Sequence, residues 1–291
     1  MSPTSTSRAR SEICLDRVRL YEPENREGPG LEPIVHYLSG MFPTIRFSIQ
    51  PSPLRSIGSK LIRHLASEIS SARVTDPAKR SQDRDPLYGE IDYEKRVIED
   101  EARAGGVVYD ANRLSWALLR SLGATRLDVA NVIITDRLIS TFSQDDMRHH
   151  LRTVVPGFPS LISIPGIVEA PARPRMYHIK KQALELSGAS ALALERLRSE
   201  VKGRLIDYGD SAIGEVLKGL VLQSLMFHLT LRPFCDEKSC RLFNAHWQED
   251  LIASQVAHNG LCSKHTSQVR ALGQHPVVGW LDGVKRQKAF S

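Results

Sequence analysis

The sequence predicts an α/β protein, or an α+β one, in which helices pack on a mixed sheet. Three observations favour this class. The chain opens with a strand, a helix and a second strand within residues 13–49. Two further runs rich in β-branched residues, 128–134 and 161–168, are typical of buried strands. Helical patterns separate these strands and dominate after residue 179, and such alternation is typical of layered folds.

The first three elements form a β-α-β unit. Residues 13–21 alternate apolar and polar side chains in their second half, and Pro23 ends this strand. Residues 31–41 then carry apolar side chains at helical spacing, and residues 44–49 return to alternation. We therefore expect two neighbouring strands joined by a helix.

Three helices are predicted next. Residues 56–72 have an apolar side chain at every fourth position, which places those side chains along one helical stripe. The charged segment 76–84 contains Pro77 and is predicted to be a loop. Helical patterns resume over residues 93–104 and 110–122, and the second of these is the more regular.

The segment between the two buried strands is polar. Residues 143–151 begin with a Ser-x-x-Asp pattern that commonly caps a helix, so we expect a short helix there. Asp145 and His149 would share one face of it, and Asp146 and His150 lie beside them. The four side chains offer oxygen and nitrogen ligands to a metal, but a solvated helix surface is the interpretation that we favour.

The last third of the chain is predicted to be mainly helical. Residues 171–175 contain two prolines and should form an extended arm. Helices are expected over residues 179–202 and 211–231. The second is apolar almost all round, which predicts that it is the central buried helix of the protein.

Length and composition bound the domain organisation. The chain has 291 residues, and its 41% hydrophobic content can fill one sizeable core. Residues 1–11 are rich in Ser, Thr and Arg and are expected to be disordered. We expect residues 12–291 to form a single domain, to which a zinc subsite at residues 233–266 is appended.

Charge and hydropathy limit the classes of partner. The formal net charge is +6, but 33 acidic residues are interleaved with the basic ones, so we do not expect nucleic acid to be a partner. We see no apolar segment after the N-terminal residues that resembles a secretion signal, and no run of about 18 apolar residues. The sequence therefore predicts a cytoplasmic protein that does not contact membranes.

The cysteines indicate a metal site. Three of the four lie within residues 235–262, and the chain reads C-x4-C at Cys235 and Cys240, then C-x2-H at Cys262 and His265. Two short-range pairs separated by a helix-sized spacer can supply four ligands in tetrahedral geometry, as in structural zinc sites. We therefore predict a structural Zn²⁺ bound by these four residues.

The spacer between the two pairs carries good helix formers over residues 242–256. We expect a helix there of about 15 residues, or roughly 22 Å. The chain must then double back for the pairs to meet, and Asn259-Gly260 suits such a reversal. His258 is close in sequence and remains an alternative to His265 as the fourth ligand.

The cysteine region resembles the archaemetzincins, zinc metallopeptidases whose motif runs H-E-x-x-H-x-x-G-x-x-H-C-x4-C-x-M, with a C-x-x-C pair later. The resemblance implies a metzincin-like fold, a catalytic zinc held by three histidines, a glutamate general base and a second, structural zinc. More closely, the chain is similar to a largely archaeal group labelled metallopeptidases. Four segments carry that similarity: 86–90 (PLYGE), 134–138 (ITDRL), 166–172 (GIVEAPA) and 244–249 (NAHWQE).

The catalytic part of the motif departs from the family pattern. Placing Cys235 and Cys240 on C-x4-C puts His228 at the second histidine. The other positions hold different residues: Ser224 at the first histidine, Leu225 at the glutamate, Leu231 at the glycine, Phe234 at the third histidine and Leu242 at the methionine. A catalytic zinc needs three protein ligands and a polarised water, and the glutamate would take the proton of that water.

These departures predict a metallopeptidase-like protein with a structural zinc site and a degenerate catalytic site. Peptides or proteins would be its substrates if activity were retained. On its apolar helix His228 is interpreted as a hydrogen-bonded core histidine, although a role in a second metal site remains open. The alternative function is a zinc-stabilised protein without enzymatic activity, which binds a partner such as nucleic acid through its basic surface.

Overall fold

The structure is a computed structural model. It describes residues 12–25, 28–55, 57–81, 84–100, 104–122, 126–173, 175–188 and 205–280, together with the single residues 190, 193 and 196. The predicted disordered segment 1–11 lies outside these residues. So does most of the second half of the helix predicted over residues 179–202.

Five strands form a mixed sheet. They are β1 (Arg17–Tyr21), β2 (Arg46–Gln50), β4 (Val129–Thr135), β7 (Val154–Val155) and β8 (Ser160–Ser163), in the order β2-β1-β4-β8-β7. The first four of this order are parallel, and β7 pairs antiparallel with β8 at the edge. A second sheet contains β3 (Val108–Asp110), β5 (Leu138–Ser143) and β6 (Arg148–Arg152) in the order β3-β5-β6. The predicted α/β class with a mixed sheet is thus confirmed.

The helices are named in chain order. They are α1 (Glu32–Met41), α2 (Ser59–Ser71), α3 (Tyr88–Glu99), α4 (Ala111–Leu122), α5 (Ile164–Glu169), α6 (Arg175–Leu186), α7 (Ala212–Thr230), α8 (Gln248–Ile252) and α9 (Ser263–Gln274). A π-helical turn, Ala253–Ala257, continues α8.

Alternation along the strands divides the core between the two faces of the five-stranded sheet. Val132 and Ile134 of β4 point into a core that includes α1 and α7. Ile133, which lies between them, points into the opposite core, formed with α2, α3 and α4. A strand covered on both faces is expected to be apolar throughout, which explains why residues 128–134 could be recognised from composition.

Helix α7 lies at the centre of the first core. It is 19 residues long, and 13 of them are buried. Its length and apolarity would also suit a membrane span, but 72% of its most apolar window is buried inside the protein. That burial agrees with the predicted central core helix.

Two predicted elements are wrong near β5 and β8. Residues 143–151, predicted to be helical, form the β5–β6 hairpin, in which Phe142 pairs with His149 and Met147 has a positive φ of 55°. The strand predicted over 161–168 ends at Ser163, where α5 begins. Pro165 suits the first helical turn because its missing N–H is not needed there, and Ser163 Oγ accepts the N–H of Gly166 at 2.8 Å.

A buried ion-pair network joins the sheets to α3. Arg137 follows β4, is 1% exposed, and donates from Nη1 to Glu94 Oε2 at 2.6 Å. Glu94 is fully buried and also accepts from Tyr109 Oη at 2.6 Å and Arg73 Nη2 at 2.7 Å. Glu24, 4% exposed, lies 3.4 Å from Arg137 Nε. The two charges of the Arg137–Glu94 pair therefore compensate each other away from solvent.

Candidate metal centre

The first cysteine pair lies in a tight turn that follows α7. Leu231 ends the helix with a left-handed φ of 57°, and the chain reverses toward the core. Cys235 N–H then donates to Leu242 O at 2.9 Å, and Cys240 N–H donates to Glu237 O at 3.0 Å. These backbone bonds fold residues 235–242 into a loop that holds both thiols on the same side.

The second pair lies at the start of α9. Cys262 is the N-cap residue, and His265 occupies the first turn three residues later. Residues three apart lie on the same helical face, so both side chains point to one spot. The N-terminus of a helix carries partial positive charge, and Cys262 lies at that end of α9.

The spacer between the pairs is less helical than predicted. Only α8 and the π turn are helical, because residues 241–247 pair with other segments instead: Phe243 bridges to Cys235, and Trp247 bridges to Ala172. The predicted reversal is present, with Asn259 at a φ of 41°. The shorter helical part lets the chain return to the first pair, and Arg241 N–H donates to Gly260 O at 2.7 Å.

The structure brings the four predicted ligands together. Their donor atoms all lie within 4.8 Å of one another. Cys235 Sγ and Cys262 Sγ are 3.9 Å apart, Cys240 Sγ and His265 Nδ1 are 3.7 Å apart, and Cys262 Sγ and His265 Nδ1 are 3.1 Å apart. In a tetrahedral zinc site, bond lengths of about 2.3 Å to sulfur and 2.0 Å to nitrogen place ligand atoms roughly 3.5–3.8 Å apart. Both the donor set and the spacing fit Zn²⁺.

Burial shapes the chemistry of the cluster. Cys240 is fully buried, and this burial raises the pKa of its thiol to about 12, with a further rise from the neighbouring Cys235. A cation among the thiols would favour the thiolate form instead. Burial, followed by the charge of Lys264, lowers the pKa of His265, so the ring is neutral at pH 7 and can bind a metal.

His265, and not His258, joins the cluster. His258 is exposed and lies outside the group of four donor atoms. Within the described part of the chain, this is the one group of three or more cysteine, histidine and acidic side chains close enough to share a metal.

His228 lies elsewhere, among aromatic rings. Its Nε2 is 2.7 Å from Leu127 O, its ring packs edge-on against Phe158 with centroids 5.1 Å apart, and its side chain is 4% exposed. Trp280 Nε1 donates to His228 O at 2.9 Å. Burial lowers the pKa of His228, so the ring is neutral at pH 7. The expected core histidine is therefore present.

Other residues that align with the archaemetzincin catalytic motif are also packed inside the protein. Ser224 is 1% exposed and donates from Oγ to Leu220 O at 3.0 Å, and Leu225 is fully buried. Phe234 packs against the first core.

The polar cluster predicted around Asp145 is divided by the hairpin. Asp146 pairs with His150 at 2.8 Å and with Arg148 at 2.7 Å. The hydrogen bond from His150, followed by that from Arg148, lowers the pKa of Asp146 to about 2. His149 points the other way, toward Ser81 and Ser140. Sequence reasoning missed this contact because the serines come from separate segments and carry no motif.

Comparison with known proteins identifies a family. A family model described as a probable metallopeptidase family (DUF6775) matches residues 15–272, which is most of the chain. No curated protein and no solved structure gives a match.

Proposed function

The chain belongs to the probable metallopeptidase family, and on this premise we propose that it is a zinc-stabilised member whose own peptidase centre is degenerate. Cys235, Cys240, Cys262 and His265 would hold the Zn²⁺. Bound there, the ion supplies cross-linking and charge neutralisation rather than an open coordination position, because four protein ligands complete a tetrahedron.

The convergence of four donor atoms within 4.8 Å is the observation that carries the proposal. Cys235 and Cys262 remain free thiols, with sulfurs much too far apart for a disulfide. Thiols at this spacing, beside a neutral imidazole, form a donor set that zinc prefers. A reducing compartment would keep such thiols available, and we accordingly propose that the protein is cytoplasmic and that its described core is one domain.

The degenerate centre is supported by the contacts of α7. An archaemetzincin-like centre would require Ser224 and His228 to be ligands on one helical face and Leu225 to be a carboxylate. Ser224 and Leu225 offer no such groups, and the Nε2 atom of His228 is engaged by a backbone carbonyl. Phe158 also packs edge-on against the ring of His228.

The backbone conformation of Leu231 supports descent from a protein that carried the archaemetzincin motif. The pattern places glycine at this position, and Leu231 ends α7 in the left-handed region, which strongly favours glycine. The turn thus keeps a glycine-type backbone after the glycine itself is replaced. We therefore propose that this chain is a metzincin-like protein that has lost catalytic groups while retaining the backbone that carried them.

Metal analysis tests the proposal. Protein purified without chelator should contain one zinc per chain, and His228→Ala should leave that content unchanged. The same preparation should not cleave an unstructured fluorogenic peptide in a chelator-sensitive manner. Two zinc ions per chain together with chelator-sensitive cleavage would contradict the degenerate centre, and metal-free folded protein would contradict the zinc site.

The net charge of +6 is compatible with a second candidate function. In this case the zinc-stabilised domain would bind a polyanion such as nucleic acid and would have no catalytic role. Such binding depends on neutralised phosphates and falls steeply with salt. Submicromolar binding to DNA or RNA at physiological salt would favour this candidate over the degenerate peptidase.

A further inference from the structure

A polar cleft opens on the side of the protein that carries α2 and α4. Its volume is about 540 Å³, and its lining includes Ser81, Arg80, Arg113, Arg120 and Trp116. Large concave pockets with convergent polar groups are the usual location of binding and catalytic sites. The cleft is lined by none of the four candidate zinc ligands and is therefore a separate site.

A chain of hydrogen bonds runs from the cleft into the protein. Ser81 Oγ lies 3.2 Å from His149 Nε2, and His149 Nδ1 lies 3.1 Å from Ser140 Oγ. Ser140 is fully buried, and its Oγ donates to Tyr109 O at 3.3 Å. A hydroxyl, an imidazole and a third group that orients the imidazole are the components of an activated nucleophile.

We assign the tautomer of His149 through Ser140, because this hydroxyl has one proton and Tyr109 O can only accept a hydrogen bond. With that proton donated to Tyr109 O, Ser140 Oγ accepts the Nδ1–H of His149. Nε2 then has a free lone pair and accepts the proton of Ser81. This tautomer makes His149 a base toward Ser81.

Contacts from three elements fix the position of Ser81 and His149. Arg113 of α4 donates from Nη2 to Ser81 O at 3.3 Å. The backbone N–H of His149 donates to Pro77 O at 2.7 Å, which ties the loop containing Ser81 to β6. Phe142 packs edge-on against the His149 ring, with centroids 5.3 Å apart.

The charge of the cleft indicates the kind of substrate. Of its two acidic residues, Glu68 pairs with Arg120, and Asp110 accepts the backbone N–H groups of Asn112 and Arg113 at 3.0 and 3.2 Å. Arg80 is exposed, and no described residue forms an ion pair with it. The side chain of Trp116 is 66% exposed and offers an apolar surface beside these charges.

We propose that this cleft is an acyl-transfer site for esters of negatively charged acids, with Ser81 as nucleophile, His149 as general base and Ser140 as positioning residue. Ser81 Oγ forms a bond to the acyl carbon while its proton passes to His149 Nε2. The bond from that carbon to the leaving alcohol breaks, and His149 returns the proton to the alcohol. Water is the co-reactant of the second step: its oxygen bonds to the acyl carbon while its proton passes to His149 Nε2, the bond from that carbon to Ser81 Oγ breaks, and His149 returns the proton to Ser81. No oxidant is needed.

A fluorophosphonate probe tests the nucleophile directly. Ser81 Oγ would form a bond to phosphorus, fluoride would leave, and mass spectrometry would locate the adduct. Ser81→Ala should abolish labelling, and His149→Gln should lower its rate by about 100-fold or more. Ser71→Ala is the matched control, because Ser71 lines the same cleft but donates to Ser67 O and should not affect labelling.

Two further measurements separate catalysis from structure. Ser140→Ala should slow labelling and Ser140→Thr, which keeps the hydroxyl, should restore it, with folding checked by circular dichroism. A p-nitrophenyl ester of a dicarboxylic acid should be hydrolysed faster than p-nitrophenyl acetate, and Arg80→Gln should remove that preference. The proposal is overturned if folded protein is not labelled at Ser81, or if His149→Gln labels at the parental rate. It does not depend on the zinc site, because these assays use the metal-loaded protein throughout.

Discussion

Replacing Glu94 with glutamine should destabilise the protein strongly. The substitution keeps the size of the side chain but converts one carboxylate oxygen to NH₂. Both oxygens of Glu94 accept hydrogen bonds, from Arg137 on one side and from Tyr109 and Arg73 on the other. Whichever oxygen becomes the amide nitrogen therefore faces a donor.

The size of the effect follows from burial. Arg137 is 1% exposed, so its charge cannot be solvated when Glu94 becomes neutral, and Glu24 at 3.4 Å is the remaining nearby carboxylate. Removing one partner of a buried ion pair costs about 3–5 kcal/mol. Domains of this size lose roughly 2 °C of melting temperature per kcal/mol, which predicts a decrease of about 6–10 °C.

Thermal melting followed by circular dichroism, with zinc kept in excess, measures this change. Asp92→Asn is the control, because Asp92 pairs with Arg96 on an exposed face of the same helix, with both side chains at least 45% exposed. Exposed pairs contribute about 0–1 kcal/mol, so the control should melt within about 2 °C of the parent. A Glu94→Gln protein that melts as the control does would refute the argument from burial.

Three further predictions concern the metal, the buried histidine and the surface charge. Cys235→Ser or Cys262→Ser should lose zinc and melt at a lower temperature, because structural zinc binding contributes folding free energy. The control variant Cys14→Ser should keep its zinc. Retention of zinc by Cys235→Ser or Cys262→Ser would exclude the site. The pKa of His228 is lower in the folded protein than in the unfolded chain, so the unfolded chain takes up a proton more readily. The free energy of unfolding should therefore decrease as the pH falls below about 6.5. His228→Gln should weaken this decrease, as measured by urea titrations at pH 7 and pH 5. Binding to DNA or RNA should be weak and should disappear at physiological salt, as measured by fluorescence anisotropy, and a persistent submicromolar complex would contradict this expectation.

Strong periodicity made part of the fold predictable. The strand β4 and the helix α7 match their predicted segments because burial on both faces or all round leaves a long apolar signal, and β1 and β2 match because their apolar and polar residues alternate. The β5–β6 hairpin was not predictable in this way. Its Ser-x-x-Asp start imitates a helix cap, and pairing of β5 with β3, more than 25 residues earlier in the chain, decides its conformation.

The candidate metal centre was predictable because its ligands are close in sequence and carry a recognisable spacing. The helix between them was overestimated, since bridges from Phe243 to Cys235 and from Trp247 to Ala172 keep the first part of the spacer out of a helix. The contact of Ser81 with His149 depends on a loop, a hairpin and α4 meeting in space. No local pattern encodes such a meeting.

The position of the cysteine cluster along the chain affects how the protein matures. Every strand that the structure describes precedes Cys235, so both sheets leave the ribosome before the first metal ligand does. A Zn²⁺ bound at the proposed site would therefore act after the strands have emerged and would hold α9 beside α1 and β2, where Thr44 Oγ1 of the α1–β2 connection donates to Gly273 O at 3.0 Å. Cells short of zinc should accumulate chains in which both sheets are folded but the segment after Phe234 is not. Proteases should cut those chains first between the two cysteine pairs.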